Sequence, residues 1–237
     1  MFNDNNPIFE FRGPFGVPIQ IGASLVLLLG FYFYTGGTDV AWTATFIALL
    51  FVSIFLHELG HAWACLIQGI PVRRIMLYGG GGFCERARSA TAYEQEFIVA
   101  MGPIVNIVLW AVFSLISNVM WDSIFAQASG YENPEILFNS PQATIAEVLG
   151  LFAYINGFLA IFNLIPVQPL DGGKLFHLGL LRLVRQDYAM VITGAVGLVL
   201  SVLWIPAMLI AFGLGWWILF FIPSIPLHWS MMRQRLA

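Results

Sequence analysis

The chain has 237 residues, of which 59% are hydrophobic and only 10% charged, with a formal net charge of -3. A soluble domain carries about 25% charged residues, so this composition, with a mean hydropathy of +0.82, excludes an ordinary soluble domain and indicates a polytopic membrane protein. No basic tract points to a nucleic-acid partner. Residues 1–18 contain Asp4, Glu10 and Arg12, a poor match to the basic start of a signal peptide, so the first apolar segment reads as an uncleaved span. Crossing roughly 30 Å of hydrocarbon takes about 20 apolar residues. Blocks at 20–36, 40–70, 95–117 and 146–166 meet that requirement. A fifth block carries no charge from Tyr188 to Met232 and is too long for one crossing. Pro206 divides it into 188–205 and 208–230, which brings the total to about six spans. The expected fold is therefore an all-α polytopic membrane protein, a single domain over 1–237, with a short membrane-associated β or re-entrant element.

Orientation follows from the basic residues. Arg73, Arg74, Arg86 and Arg88 follow the second span, Lys174, Arg182 and Arg185 follow the fourth, and Arg233 and Arg235 close the sequence. The alternate loops hold Asp39, then Asp122, Glu132, Glu135 and Glu147, with neither Lys nor Arg. With six spans every basic loop falls on one side, and both termini are expected in the cytoplasm. Trp121, Trp204, Trp216, Trp217 and Trp229 suit interfacial belts, as do His177 and His228. Cys65 and Cys84 lack metal-ligand spacing, and Cys65 reads as a small buried hydrophobe.

The second span contains His57-Glu58-Leu59-Gly60-His61. Histidines at i and i+4 share one helix face, so both imidazoles can reach one zinc ion. Glu58, beside them, is placed to take a proton from a water on that metal. Ionisable groups inside a span are costly and are kept for partners or function. The bland reading, a polar seam or a proton relay, must also account for a second motif, Asn163-Leu164-Ile165-Pro166-Val167-Gln168-Pro169-Leu170-Asp171-Gly172-Gly173. Its prolines cannot continue a regular helix and its glycines permit sharp turns. Unwound backbone at membrane depth must be buried in protein or line a wet cavity. Asp171 is thus expected on an unwound segment, free to serve as a third ligand, leaving the fourth position for water. The second and fourth spans run the same way. His57 lies about 17 residues into its span, roughly 26 Å along a helix, which brings it to the depth of Asp171.

In these motifs the sequence resembles the site-2 protease family of intramembrane metalloproteases. Gly102-Pro103-Ile104-Val105-Asn106, the run Gly79 to Gly82 and Gly16-Val17-Pro18-Ile19 extend the resemblance over most of the chain. It implies one Zn²⁺ per chain held by His57, His61 and Asp171, with Glu58 as general base. The substrate is expected to be a transmembrane segment of another protein; the depth of the motifs predicts cleavage near its cytoplasmic end, and the small size and lack of plant or animal targeting features point to a prokaryotic plasma membrane. Many relatives carry a PDZ domain or a CBS pair; the 118–145 loop is too short for the former, and the expectation is a compact form lacking both.

A helical substrate must be unwound, and an added strand is one way to hold it extended. Residues 73–86 are either a membrane-dipping hairpin supplying that edge or a flexible cytoplasmic linker. Asn106, Asn163, Gly80 and Gly81 are candidate substrate contacts, while Asn106 and Asn156 also suit interhelical hydrogen bonding. A transmembrane metal-ion transporter using the same His and Asp residues is the alternative from another class, although it leaves unexplained why Glu58 directly follows His57. A structural subunit with vestigial ligands is a third.

Overall fold

The computed structural model describes residues 7–35, 39–128, 130, 135–213 and 223–233. It opens with strand β1 (Pro7–Arg12), a single 3-10 turn (Pro14–Gly16) and β2 (Pro18–Gly22), then helices α1 (Ala23–Thr35) and α2 (Val40–Ile67). A hairpin follows, β3 (Val72–Tyr78) and β4 (Gly81–Arg86), and then the long α3 (Ala92–Ala128). The remainder is helical: α4 (Glu135–Phe138), α5 (Pro141–Asn163), α6 (Asp171–Leu181), α7 (Gln186–Gly213) and α8 (Ile225–Met232).

Local chemistry sets the helix ends. Asp39 caps α2 by accepting from Trp42 N at 2.9 Å. At the other end Gly69, at φ 69°, turns the chain out, while Gly69 N bonds Leu66 O at 3.0 Å and Ile70 N bonds Cys65 O at 2.9 Å. That is a Schellman ending, sealed by contact between buried Ile70 and Cys65. Helix α3 starts with a capping box: Thr91 N donates to Glu94 Oε2 at 2.7 Å and Glu94 N to Thr91 Oγ1 at 3.3 Å.

Four helices among the described residues are long and apolar enough to cross a membrane: α2, α3, α5 and α7. The expected six are not reached within them, for two reasons. Helix α1 has 13 residues, about 20 Å, because residues 20–22 of the expected first span are taken by β2. Helix α7 continues through Pro206 instead of breaking there. One missing hydrogen bond does not end a helix when apolar surroundings offer its backbone no competing partner. The expected last span, 208–230, includes residues 214–222, which lie outside the described residues with Trp216 and Trp217.

The β element is larger than expected. The order is β1-β2-β3-β4, antiparallel except between β2 and β3. The parallel pair sets Ile19 beside Ile75 and Ile21 beside Leu77. Ile19, Ile75 and Leu77 are fully buried with Val17, Ile54 and Leu159 in the main apolar cluster. The stretch 73–86 is thus a hairpin rather than a linker, with β4 at the edge of the sheet. Helix α3 packs on both α2 and α5, so the three helices form the frame into which the polar residues project.

Candidate active site

Helix α2 carries His57 and His61 one turn apart, with ring centroids 4.8 Å apart. Asp171 reaches them from α6: its Oδ2 is 3.1 Å from His57 Nε2 and 3.0 Å from His61 Nε2. The two Nε2 atoms are 3.1 Å apart, and all three side chains are buried.

What holds the rings decides what their free nitrogens present. His61 Nδ1 is 2.7 Å from the Ile98 carbonyl, which only accepts, so Nδ1 donates and Nε2 presents its lone pair. His57 Nδ1 is 2.5 Å from Asn106 Oδ1. Asn106 is oriented in turn by donating from Nδ2 to Asn156 Oδ1 at 2.7 Å, and Asn156 donates to Ser53 Oγ at 3.0 Å and Phe152 O at 2.8 Å. Two imidazole lone pairs and a carboxylate therefore converge with their donor atoms within 4.8 Å of one another. Such a buried cluster repels itself unless a cation lies between its members, and neutral imidazole Nε2 atoms backed by hydrogen-bonded Nδ1–H groups are the donors that zinc takes. The residues fit a zinc ion.

The placement of Asp171 corrects one expectation. The chain unwinds over Leu164–Leu170, but Asp171 is the first residue of α6 and not part of the irregular segment. Gly172 and Gly173 are there for close approach: a Cβ at Gly172 would lie 2.2 Å from Leu164 C, and one at Gly173 2.5 Å from Val167 C. Two consecutive residues without side chains let the helix start directly against the loop. Lys174, read in the sequence only as a basic loop residue, places Nζ 3.1 Å from Asp171 Oδ1.

Glu58 lies beside these three residues and lines a cavity of about 250 Å³ with them. Its Oε2 is buried and has no hydrogen-bond partner among the described residues. The β3–β4 hairpin closes over it so tightly that a Cβ at Gly82 would meet Glu58 Cγ at 2.5 Å. Gly80, Gly81 and Asn163 line the same cavity, and Asn163 also donates to Leu159 O at 3.0 Å. Asn106 does not face it: fully buried, with both amide atoms engaged, it sits behind His57. Gly102, the first residue of the Gly102–Asn106 motif, has a part of its own: a Cβ there would lie 2.4 Å from His61 Nε2 and 2.6 Å from His57 Nε2. The i, i+4 spacing of Gly102 and Asn106 puts both on the face of α3 that meets the histidines, a signal readable in advance. His228, expected at an interface, is fully buried.

The hairpin is braced at its outer side. Arg74 Nε donates to Glu85 Oε2 at 2.6 Å and its Nη1 to Gln20 Oε1 at 2.7 Å. The Arg74 hydrogen bond holds the Glu85 carboxyl below the usual carboxylate range. A hydrogen bond to Cys65, and then burial, push the Cys84 thiol up, which keeps it protonated.

Residues 45–204 match Peptidase family M50. The chain belongs to this family. Among its relatives, a putative zinc metalloprotease of Synechocystis is 33% identical over 173 residues, covering 68% of this chain and 41% of that protein. A zinc metalloprotease of Methanocaldococcus jannaschii is 28% identical over 164 residues, covering 68% of this chain and 42% of that one. Stage IV sporulation protein FB of Bacillus subtilis is 28% identical over 131 residues, 54% of this chain and 38% of that protein. The chain thus spans about two fifths of the length of the curated relatives it matches. In fold it is similar to the site-2 protease from Methanocaldococcus jannaschii, with TM-score 0.61 and 21% identity over 94% of this chain and 91% of that one. Four apolar helices of spanning length and M50 membership make it an integral membrane protein.

Proposed function

We propose that this chain is an intramembrane zinc endopeptidase that hydrolyses peptide bonds in or near the transmembrane segments of other membrane proteins. One observation carries the reading: His57, His61 and Asp171 turn their donor atoms to one point, beside Glu58, which lines a cavity and whose buried Oε2 has no hydrogen-bond partner among the described residues, within a bundle of apolar helices. His57 Nε2, His61 Nε2 and Asp171 Oδ2 would hold the zinc. When bound, zinc polarises the scissile carbonyl and lowers the pKa of a coordinated water.

Glu58 is the general base of this mechanism. Its carboxylate takes a proton from the attacking water and later delivers it to the leaving amine. Asn106 and Ile98 O orient the histidines, so Asn106 acts on the reaction through His57 rather than by touching substrate. Gly80, Gly81 and Asn163 are the candidate substrate contacts. The substrate helix must be opened before its carbonyl is accessible, and the free edge of β4, whose Gly82 touches Glu58, suits an added strand. The basic residues that follow α2 and those on and after α6 support a cytoplasmic position for these loops, and with it cleavage near the cytoplasmic end of the substrate.

The test is cleavage of a model transmembrane substrate by purified protein in detergent, wild type beside Glu58→Gln, with zinc measured on both. Cleavage by wild type alone, with about one zinc on each, is the expected result. A Glu58→Gln variant that cleaves as fast as wild type overturns the assignment.

A further inference from the structure

We propose that His228 is a positioning residue for the metal centre, tying the C-terminal helix α8 to the irregular segment that delivers Asp171. The proposal rests on the zinc reading above. Its starting point is a fully buried imidazole on a short helix, 60 positions along the chain from its key partner. His228 Nε2 accepts from the peptide N–H of Gln168 at 3.1 Å. Its Nδ1 lies 2.8 Å from the carbonyl of Ser224 and 3.3 Å from Ser201 Oγ. A carbonyl only accepts, so Nδ1 carries the proton and Nε2 the lone pair. Both ring nitrogens are thereby committed in one tautomer.

Helix α7 is notched to admit the ring. A Cβ at Gly197 would lie 1.9 Å from His228 Cδ2, and one at Gly194 2.8 Å from the His228 carbonyl. No bulkier residue at either position would leave α8 where it is.

Gln168 sits in the middle of Leu164–Leu170, the stretch between α5 and α6. The backbone bonds nearest to it, Val167 N to Ile165 O at 2.7 Å and Leu170 N to Val167 O at 3.0 Å, are internal to that stretch and do not anchor it to the bundle. Val167 and Leu170 pack against Phe162, Leu200 and Trp204, which fixes the segment's depth but, being non-directional, not the orientation of its peptide planes. The His228 acceptor supplies direction. On the far side, a Cβ at Gly173 would lie 2.7 Å from Gln168 N, so the first turn of α6 rests on the peptide that His228 holds. A displacement of Gln168 therefore passes to the turn bearing Asp171, whose carboxylate is a metal ligand with little positional tolerance. A histidine kept only to fill space would need neither the acceptor nor the notch.

The experiment uses the full chain in detergent. Zinc affinity is measured by competition with a chromophoric chelator, and coordination geometry by the visible spectrum of the cobalt(II)-substituted protein. His228→Leu keeps volume and removes the acceptor; it should weaken zinc binding about tenfold, as loss of an outer partner of a ligand does, and shift the cobalt bands. His228→Gln, whose Oε1 reaches the place of Nε2, should recover most of that affinity and the wild-type spectrum. Wild-type affinity and spectrum in His228→Leu, or a Gln variant no better than Leu, overturn the proposal. Should His228→Leu fail to fold, Gly197→Ala decides, because its methyl displaces the ring while leaving His228 in place: weaker zinc with shifted bands supports the tie, and unchanged values overturn it. A wild-type chain that takes up no stoichiometric zinc fails differently, and removes the zinc reading itself.

Discussion

Replacing Gly102 by alanine perturbs the metal site without altering any ligand. The added Cβ would lie 2.4 Å from His61 Nε2, 2.5 Å from His61 Cε1 and 2.6 Å from His57 Nε2. Non-bonded heavy atoms settle at about 3.5–4.0 Å, so each ring must retreat by about 1 Å or α3 must move off α2. Neither ring is free to retreat: His57 is held by Asn106 at 2.5 Å and His61 by Ile98 O at 2.7 Å. Zinc–ligand distances tolerate about 0.2 Å, several times less than the displacement required. Losing one outer partner of a ligand costs about 10–100-fold in affinity. Displacing two ligands at once should reach the upper end, about 100-fold or 2.8 kcal/mol. Overpacking also destabilises the fold by about 1–3 kcal/mol, partly offset by the helix preference of alanine over glycine, about 1 kcal/mol. The assay is zinc content after purification together with chelator competition. Gly30→Ala serves as the control, since a Cβ there meets nothing within 4 Å. A Gly102→Ala protein that retains one zinc at wild-type affinity would refute the ligand geometry described here.

Asn106→Leu removes the acceptor of His57 Nδ1–H and leaves that group buried and unpaired; zinc affinity should fall about 10–100-fold, measured by the same competition, while Asn163→Ala leaves it unchanged. Gly82→Ala places a Cβ 2.5 Å from Glu58 Cγ and 2.8 Å from Glu58 Cδ, so turnover should drop with zinc retained; loss of zinc instead would show that the hairpin acts on the ligands. Glu85 is held below the usual carboxylate range by Arg74. Its contribution to the hairpin is thus complete at neutral pH and is lost as pH falls through that lowered value. Hydrogen exchange of the β3–β4 amides, corrected for intrinsic rates, should show weaker protection in acid for wild type and no such change for Glu85→Gln. The effect is small, because the pair is at the surface.

The membrane class, the long helices α2, α3 and α5, and the convergence of His57, His61 and Asp171 were all legible in the sequence. Their signals are local. A run of apolar residues has no soluble alternative, and two histidines at i and i+4 share a helix face whatever surrounds them. Asp171 was recognisable for a related reason, since a carboxylate next to a proline-broken helix end needs something to bind. Other features depended on tertiary contacts. Helix α1 is short because Ile19–Ile21 pair with a β3 strand more than fifty residues away, and a pairing partner at that distance leaves no mark on local hydropathy. Pro206 interrupts nothing, because the cost of a missing hydrogen bond depends on what else the backbone can reach. Asn106 turned out to sit behind His57 rather than toward the cavity, a matter of which face of α3 meets α2. His228 is the clearest case. Its role depends on a peptide N–H far away in sequence and on two glycines in another helix, and sequence spacing carries no record of such a contact.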